Sequence, residues 1–277
     1  MRKNLMVRGL VATFVAGTCA AVQAAPYTDW GQPYSGANIP PSMVLLHMDE
    51  TSGTTATNSG DTVAWGTTDG VYSSDASGNV ASGAGNPASG FGRAFDSNSS
   101  RTLNVPSAPS LVGSFINGYV IEMWFKADTL ATSQVLTAKY TGSLGSPGGR
   151  HFYLSIDNGK LYFNPWRSDG VFAELVGTTT INAGEWHHVA AQYHSGNDQW
   201  ELFLDGNLED TSAASAWGFT TAANPIWIGS YEGGSSFFDG QIDEFRISSG
   251  QYDFAPVPEP AALSLIALAG LLAARRK

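Results

Sequence analysis

The chain has 277 residues and a formal net charge of −10, with 43% of its residues hydrophobic and only 14% charged. That length can enclose one sizeable core, and the acidic balance argues against nucleic acid as a partner, since phosphates call for clustered Lys and Arg. Its 32 glycines and 13 prolines favour short strands and many turns over long helices.

Residues 1–24 read as a secretory signal peptide. Arg2, Lys3 and Arg8 give a basic start, Leu10 to Ala21 is largely apolar, and Val22-Gln23-Ala24 precedes a cut after Ala24. The apolar run predicts a signal helix too short for a permanent span. The only cysteine, Cys19, lies inside it, so the exported chain is expected to stand on packing without disulfides. Loss of the terminal cations leaves the middle more acidic, with scattered acids that mainly solubilise.

Residues 25–42 are spaced by proline and glycine and read as an irregular lead-in. A domain is predicted over 43–250. It begins with a buried-strand candidate at Met43 to Met48, and a loop-rich stretch over 51–90 follows, holding short candidates such as "TVAW" and "GVY". From Phe91 onward strands recur at short spacing, among them "YVIEMWFKA", "SQVLTAKY", "RHFYLSI", "EWHHVAAQY", "QWELFL" and "QIDEFRI". This is the pattern of an all-β sandwich.

One hairpin can be placed in register. Asn158-Gly159 is a type I′ turn signal. It pairs Asp157 with Lys160, Ile156 with Leu161 and Leu154 with Phe163. Leu154, Ile156, Leu161 and Phe163 then share the core face, while Tyr153, Ser155 and Tyr162 share the other. Asp205-Gly206 marks a second turn.

After a linker at 251–257, residues 258–277 form a hydrophobic tail. Pro258, Glu259 and Pro260 precede an apolar run that ends in Arg275, Arg276 and Lys277. As a helix, Ala261 to Ala274 would reach roughly 21 Å at 1.5 Å per residue, against about 30 Å of bilayer core. The triplet would break any helix extended through it.

Eight segments occur in an order that resembles a known fold: "LLHMDETSGTTATNSGD", "GFGRAFD", "LNVPSAPSL", "IEMWFKA", "EWHHVAAQY", "WELFLDGNL", "IWIGS" and "FDGQIDEFRIS". Together they resemble the laminin G-like jelly roll of the concanavalin A-like lectin/glucanase superfamily, over about Met43 to Ser249. The resemblance implies two packed antiparallel sheets, a scaffold that serves binding as often as catalysis. Ser97 stands where the family usually has glycine, and Arg101-Thr102 where an Asp-Tyr pair is more frequent. The tail resembles the PEP-CTERM sorting signal, with Pro258, Glu259 and Pro260 as the recognition triplet and Arg275 and Arg276 in the basic end. That resemblance implies an exosortase-type processing enzyme as partner. It also implies an inner-membrane intermediate and delivery to the cell surface or extracellular matrix of a Gram-negative bacterium.

Candidate sites follow. In "QIDEFRI", strand alternation puts Asp243 on one face with Phe245 and Ile247, pointing inward, where a carboxylate needs a partner. If the first and last strands lie side by side, as the resemblance implies, Asp49 approaches Asp243. A structural Ca²⁺ would then explain the clustered carboxylates, with Asp61 and Asp96 as weaker candidates. Backbone N–H groups or His47 are the alternative partners for Asp243. Tyr153, Tyr162 and Trp166 could stack on sugar rings, but packing under covering loops is the commoner fate of large aromatics and the preferred reading. Trp124, Trp186, Trp200 and Trp227 are expected in or beside the core. His187 and His188, as strand neighbours, face opposite ways and cannot share an ion.

The Glu-x-Asp-x-x-Glu strand of the superfamily's glucanases is absent, and no nucleophile elbow stands out. The expectation is therefore a non-enzymatic, exported domain that binds glycan, exopolysaccharide or another surface molecule. The alternatives are a carbohydrate-active hydrolase or lyase on the same fold, and a structural matrix protein without a defined ligand.

Overall fold

The computed structural model describes residues 42–60, 67–81, 93–97, 101–106, 118–130, 133–140, 150–167, 169–214, 224–252 and 254. The signal peptide, residues 25–41 of the lead-in, Asp61 and the C-terminal tail therefore lie outside the described residues, as does the side chain of Asp96, while Ser42 already belongs to the first strand. No described helix is long and apolar enough to cross a membrane.

The described residues form two eight-stranded sheets in which every pairing is antiparallel. In the first sheet the strands run β14 (Asn207–Thr211), β13 (Gln199–Leu204), β12 (His187–His194), β7 (Tyr119–Ala127), β16 (Gly240–Ser249), β5 (Arg93–Asp96) and β4 (Val80–Ala81). β1 (Ser42–Leu46) joins β16 on the side away from β7, beyond the stretch that β5 covers. The second sheet runs β11 (Leu175–Val176), β10 (Lys160–Pro165), β9 (Arg150–Asp157), β8 (Gln134–Tyr140), β15 (Ile226–Ile228), β6 (Leu103–Val105), β3 (Gly70–Tyr72) and β2 (Thr55–Ala56). The predicted all-β sandwich of two antiparallel sheets is what forms.

Period-two alternation builds the core. Tyr119, Ile121, Met123, Phe125 and Ala127 of β7 face the second sheet's Leu154, Ile156, Leu161, Phe163, Ile226 and Ile228 within one buried cluster. Burying each such Leu, Ile or Phe side chain favours folding by about 1.5–3 kcal/mol. The Asn158-Gly159 hairpin has the predicted register, pairing Lys160 with Asp157 and Leu161 with Ile156. Both turn residues have positive φ, 49° and 72°, as a type I′ turn demands.

One expectation fails in β16. Ile242 pairs with Phe125 and Asp243 with Trp124, then the register shifts before Arg246 meets Glu122. Glu244, at φ 51°, is the extra residue of a β-bulge. Phe245 and Ile247 stay in the core with Ile242, so Asp243 stands on the opposite, outer face beside Trp124. Simple alternation placed it inward because it did not count the bulge.

Candidate functional site

The outer face of the second sheet carries a continuous row of aromatic rings. Tyr140 of β8 is flanked by Val135 and Ala138, and Tyr153, Trp166 and Tyr231 pack over these three. Ring centroids lie 5.9 Å apart for Tyr153–Tyr231, 5.1 Å for Tyr231–Tyr140 and 5.5 Å for Tyr140–Trp166. Trp166 continues to Phe172 at 5.5 Å, with the planes tilted by 33°. A bulge between Val135 and Thr137 resets the alternation of β8 and turns Ala138 outward, opposite Tyr153 and Trp227.

The loop after Trp166 is built to hold its end of the row. Trp166 N–H donates to the His151 carbonyl, and Arg167 N–H to that of Val171. Asp169 accepts from the Arg167 guanidinium at 2.7 Å and from Val171 N–H at 3.1 Å. The turn displays Val171 and Phe172, which are 52% and 53% exposed. The Tyr153 phenol is pushed above its ordinary pKa by burial, against the opposing hydrogen bonds of Ser133 and Ser155.

Tyr153 and Trp166 thus come together, as parts of a packed and half-buried row. Tyr162 lies on the same face, opposite Ser155 and Val176, but among the described residues it has no ring contact with the row. Tyr140, Tyr231 and Phe172 complete the row and were not foreseen. Their only sequence signal is aromatic identity at a strand end or in a turn, and the juxtaposition depends on β15 lying beside β8.

The second candidate cluster surrounds the β1–β16 pair. His47 Nδ1 lies 2.9 and 3.1 Å from the two carboxylate oxygens of Glu244. That hydrogen bond raises the His47 pKa, with smaller contributions from the Asp49 and Asp243 charges. Burial pushes the Glu244 carboxyl up, against the opposing pull of His47. Asp243 Oδ1 accepts the Glu244 N–H at 3.0 Å, while His47 hydrogen-bonds the Glu244 carboxylate. Among the described residues, no group of three or more His, Cys, Asp or Glu is arranged to hold a metal ion.

The adjoining loops are fastened by Glu50, Asn79 and Arg101. Glu50 accepts from Thr57 N–H and the Tyr72 hydroxyl at 2.7 Å each. Asn79 Nδ2 donates to the Met48 and Glu50 carbonyls. Arg101 donates to Asn79 Oδ1, Ser74 Oγ and the Asp75 carbonyl, with its guanidinium 5.1 Å from the Phe95 ring. The unusual Arg101 is thus a structural clasp.

His187 and His188 do face opposite ways, opposite Phe125 and Trp124 in β7. His187 Nδ1 is bound to Asp205 at 2.7 Å, and the other oxygen of Asp205 takes the His188 N–H. Trp124 and Trp200 are buried, while Trp186 and Trp227 are half-buried.

Comparison with known proteins agrees with this architecture. The family described as the concanavalin A-like lectin/glucanases superfamily matches residues 96–252, more than half of the chain. No curated protein matches the sequence. Among solved structures, domain 4 of an extracellular arabinanase from Geobacillus stearothermophilus, in complex with arabinotriose, superposes with a TM-score of 0.51 at 16% identity, covering 83% of this chain and 100% of that one. The receptor-binding domain of a botulinum neurotoxin C/D mosaic serotype gives 0.53 at 12% identity, covering 83% of this chain but 51% of that one. These likenesses establish a shared fold.

Proposed function

We propose that this chain, which belongs to the concanavalin A-like lectin/glucanases superfamily, is an exported, non-enzymatic binding domain for glycan or another surface molecule of the cell envelope or exopolysaccharide matrix. The observation that carries this reading is the row Tyr153–Tyr231–Tyr140–Trp166–Phe172 on an outer sheet face, ending in an exposed ring. Aromatic faces beside hydroxyl groups suit the apolar faces and hydroxyl edges of sugar rings. Two similar folds point the same way: one was solved with an arabinose oligosaccharide, and the other is a receptor-binding domain.

The test is binding of the exported chain to a broad glycan panel. Trp166→Ala and Tyr231→Ala should each weaken binding about tenfold or more, as aromatic anchors do at interfaces, with unchanged circular dichroism. Sugar release that depends on one carboxylate would replace the reading with a hydrolase or lyase. No binding across the panel would favour a structural matrix protein.

Calcium belongs to the same proposal. What supports it is that the Asp49 and Asp243 charges both help to raise the His47 pKa. A cage of six to eight oxygens would need more, and Asp61 and the Asp96 side chain lie outside the described residues. An unchanged melting temperature under chelation, with no calcium by elemental analysis, would refute it. Delivery by the Pro258-Glu259-Pro260 tail, through an exosortase-type enzyme and an inner-membrane intermediate, is likewise proposed. Mass spectrometry of the exported protein should find the Lys277 end removed, and its retention would count against this route.

A further inference from the structure

The opposite outer face, on the first sheet, holds a cluster that the binding function does not use. Glu122 lies 3.3 Å from His188 Nε2 and 3.6 Å from Arg246 Nη1, and all three side chains have no exposed surface. Register puts them on one face: Arg246 is opposite Glu122, His188 opposite Trp124, and both Gln192 and Ser248 opposite Val120. Trp124 Nε1, His188 Nδ1 and Ser248 Oγ are buried there without a hydrogen-bond partner. A closed state that holds such groups away from water is disfavoured relative to one that hydrates them.

What closes this face is a short C-terminal strap. β16 ends at Ser249, and the chain reverses at Gly250 (φ 116°), whose N–H donates to the Gly118 carbonyl. The Gln192 side chain then clamps the backbone of Tyr252, accepting its N–H at 2.7 Å and donating to its carbonyl at 3.2 Å. Gln251 bonds Ser195 Oγ at 2.9 Å. Tyr252 and Phe254 pack on Val120, Ala190 and Phe203. The Arg246 guanidinium lies 5.2 Å from the Tyr252 ring, and the Phe254 ring is 4.7 Å from Phe203 and 6.1 Å from His188.

We propose that Gln251, Tyr252 and Phe254 form a hinged lid over the Glu122–His188–Arg246 cluster, swinging about Gly250 to open that face without unfolding the sandwich. The attachment rests on two rings, the Gln192 clamp, the Gln251–Ser195 bond and the Arg246–Tyr252 contact, and three unpartnered polar groups beneath favour release. Segments so attached belong to the low-stability end of a structure.

The test uses the full chain and two variants that loosen the strap through independent contacts, Gln192→Ala and Phe254→Ala. Hydrogen exchange at the Tyr252 amide is compared with that at Ile121 in mid-β7, and diethylpyrocarbonate modification of His188 is followed by peptide mapping. In the unaltered chain, Tyr252 should exchange and His188 should react well ahead of Ile121 exchange. Both variants should speed the first two about tenfold or more with little change at Ile121, as local opening requires. If Tyr252, His188 and Ile121 move together in all three proteins, the strap is an integral part of the sandwich and the proposal fails. Protection of His188 that persists while Tyr252 exchanges freely would also overturn it, since the strap would not then be the cover.

Discussion

At the scale of single residues, Lys139 is the clearest conflict between chemistry and place. It lies between Phe152 and Ile226 in the ladder, both core residues, and its ammonium donates to the Asn224 carbonyl. Burial lowers its pKa from 10.5 to about 8. Between those values the unfolded chain holds more protons than the folded one, so stability rises with pH across that window. The effect is on the order of 3 kcal/mol, and a lysine kept charged below pH 8 is where it is felt. The raised phenols of Tyr72, Tyr119 and Tyr193 act in the opposite sense above pH 10, so the informative range is pH 8 to 10. Urea melts of Lys139→Met should show higher stability at pH 7 and a flatter slope over that range. A steeper or unchanged slope would remove Lys139 as its source.

At the scale of elements, legibility followed the range of the signal. The Asn158-Gly159 hairpin could be read to the residue because its turn chemistry and alternation are local. The β16 bulge could not, because it rests on Glu244 at φ 51°, a residue with no marker for that conformation. That hidden residue turned Asp243 outward. The aromatic row was half legible. Tyr153 and Trp166 flank the readable hairpin, whereas Tyr231 joins them only because β15 inserts beside β8. β16 also offers a test of its entry point. Gly240 (φ 154°) leaves its Cβ position 2.1 Å from the Lys126 carbonyl oxygen and 3.0 Å from Ala127 Cα. Backbone cannot yield as a side-chain tip can. Gly240→Ala should therefore destabilise the domain by about 2 kcal/mol or more, read as a lower urea midpoint with unchanged m-value. A neutral result would mean that the β7–β16 spacing relaxes freely.

At the scale of the whole molecule, the sandwich is closed by strands that are remote in sequence. β1 pairs with β16 through Val44–Ile247, Leu45–Arg246 and Leu46–Phe245, and Met43, Val44, Leu45 and Leu46 are at most 2% exposed. β2 and β3 extend the second sheet, and β4 extends the first. All of these precede residue 96, where the family match begins. The matched region therefore omits strands that both sheets use. Losing the β1 side chains alone forfeits about 1.5–3 kcal/mol each, against a net stability of only about 5–15 kcal/mol for a typical domain. It also strips the β1 partner from half of β16, leaving an edge prone to intermolecular pairing. A fragment of residues 96–252 should thus show no cooperative thermal transition and should aggregate, whereas residues 42–254 should fold with a single transition. Dispersed amide resonances from the shorter fragment would show instead that the matched region carries a complete core, and that β1 merely decorates it.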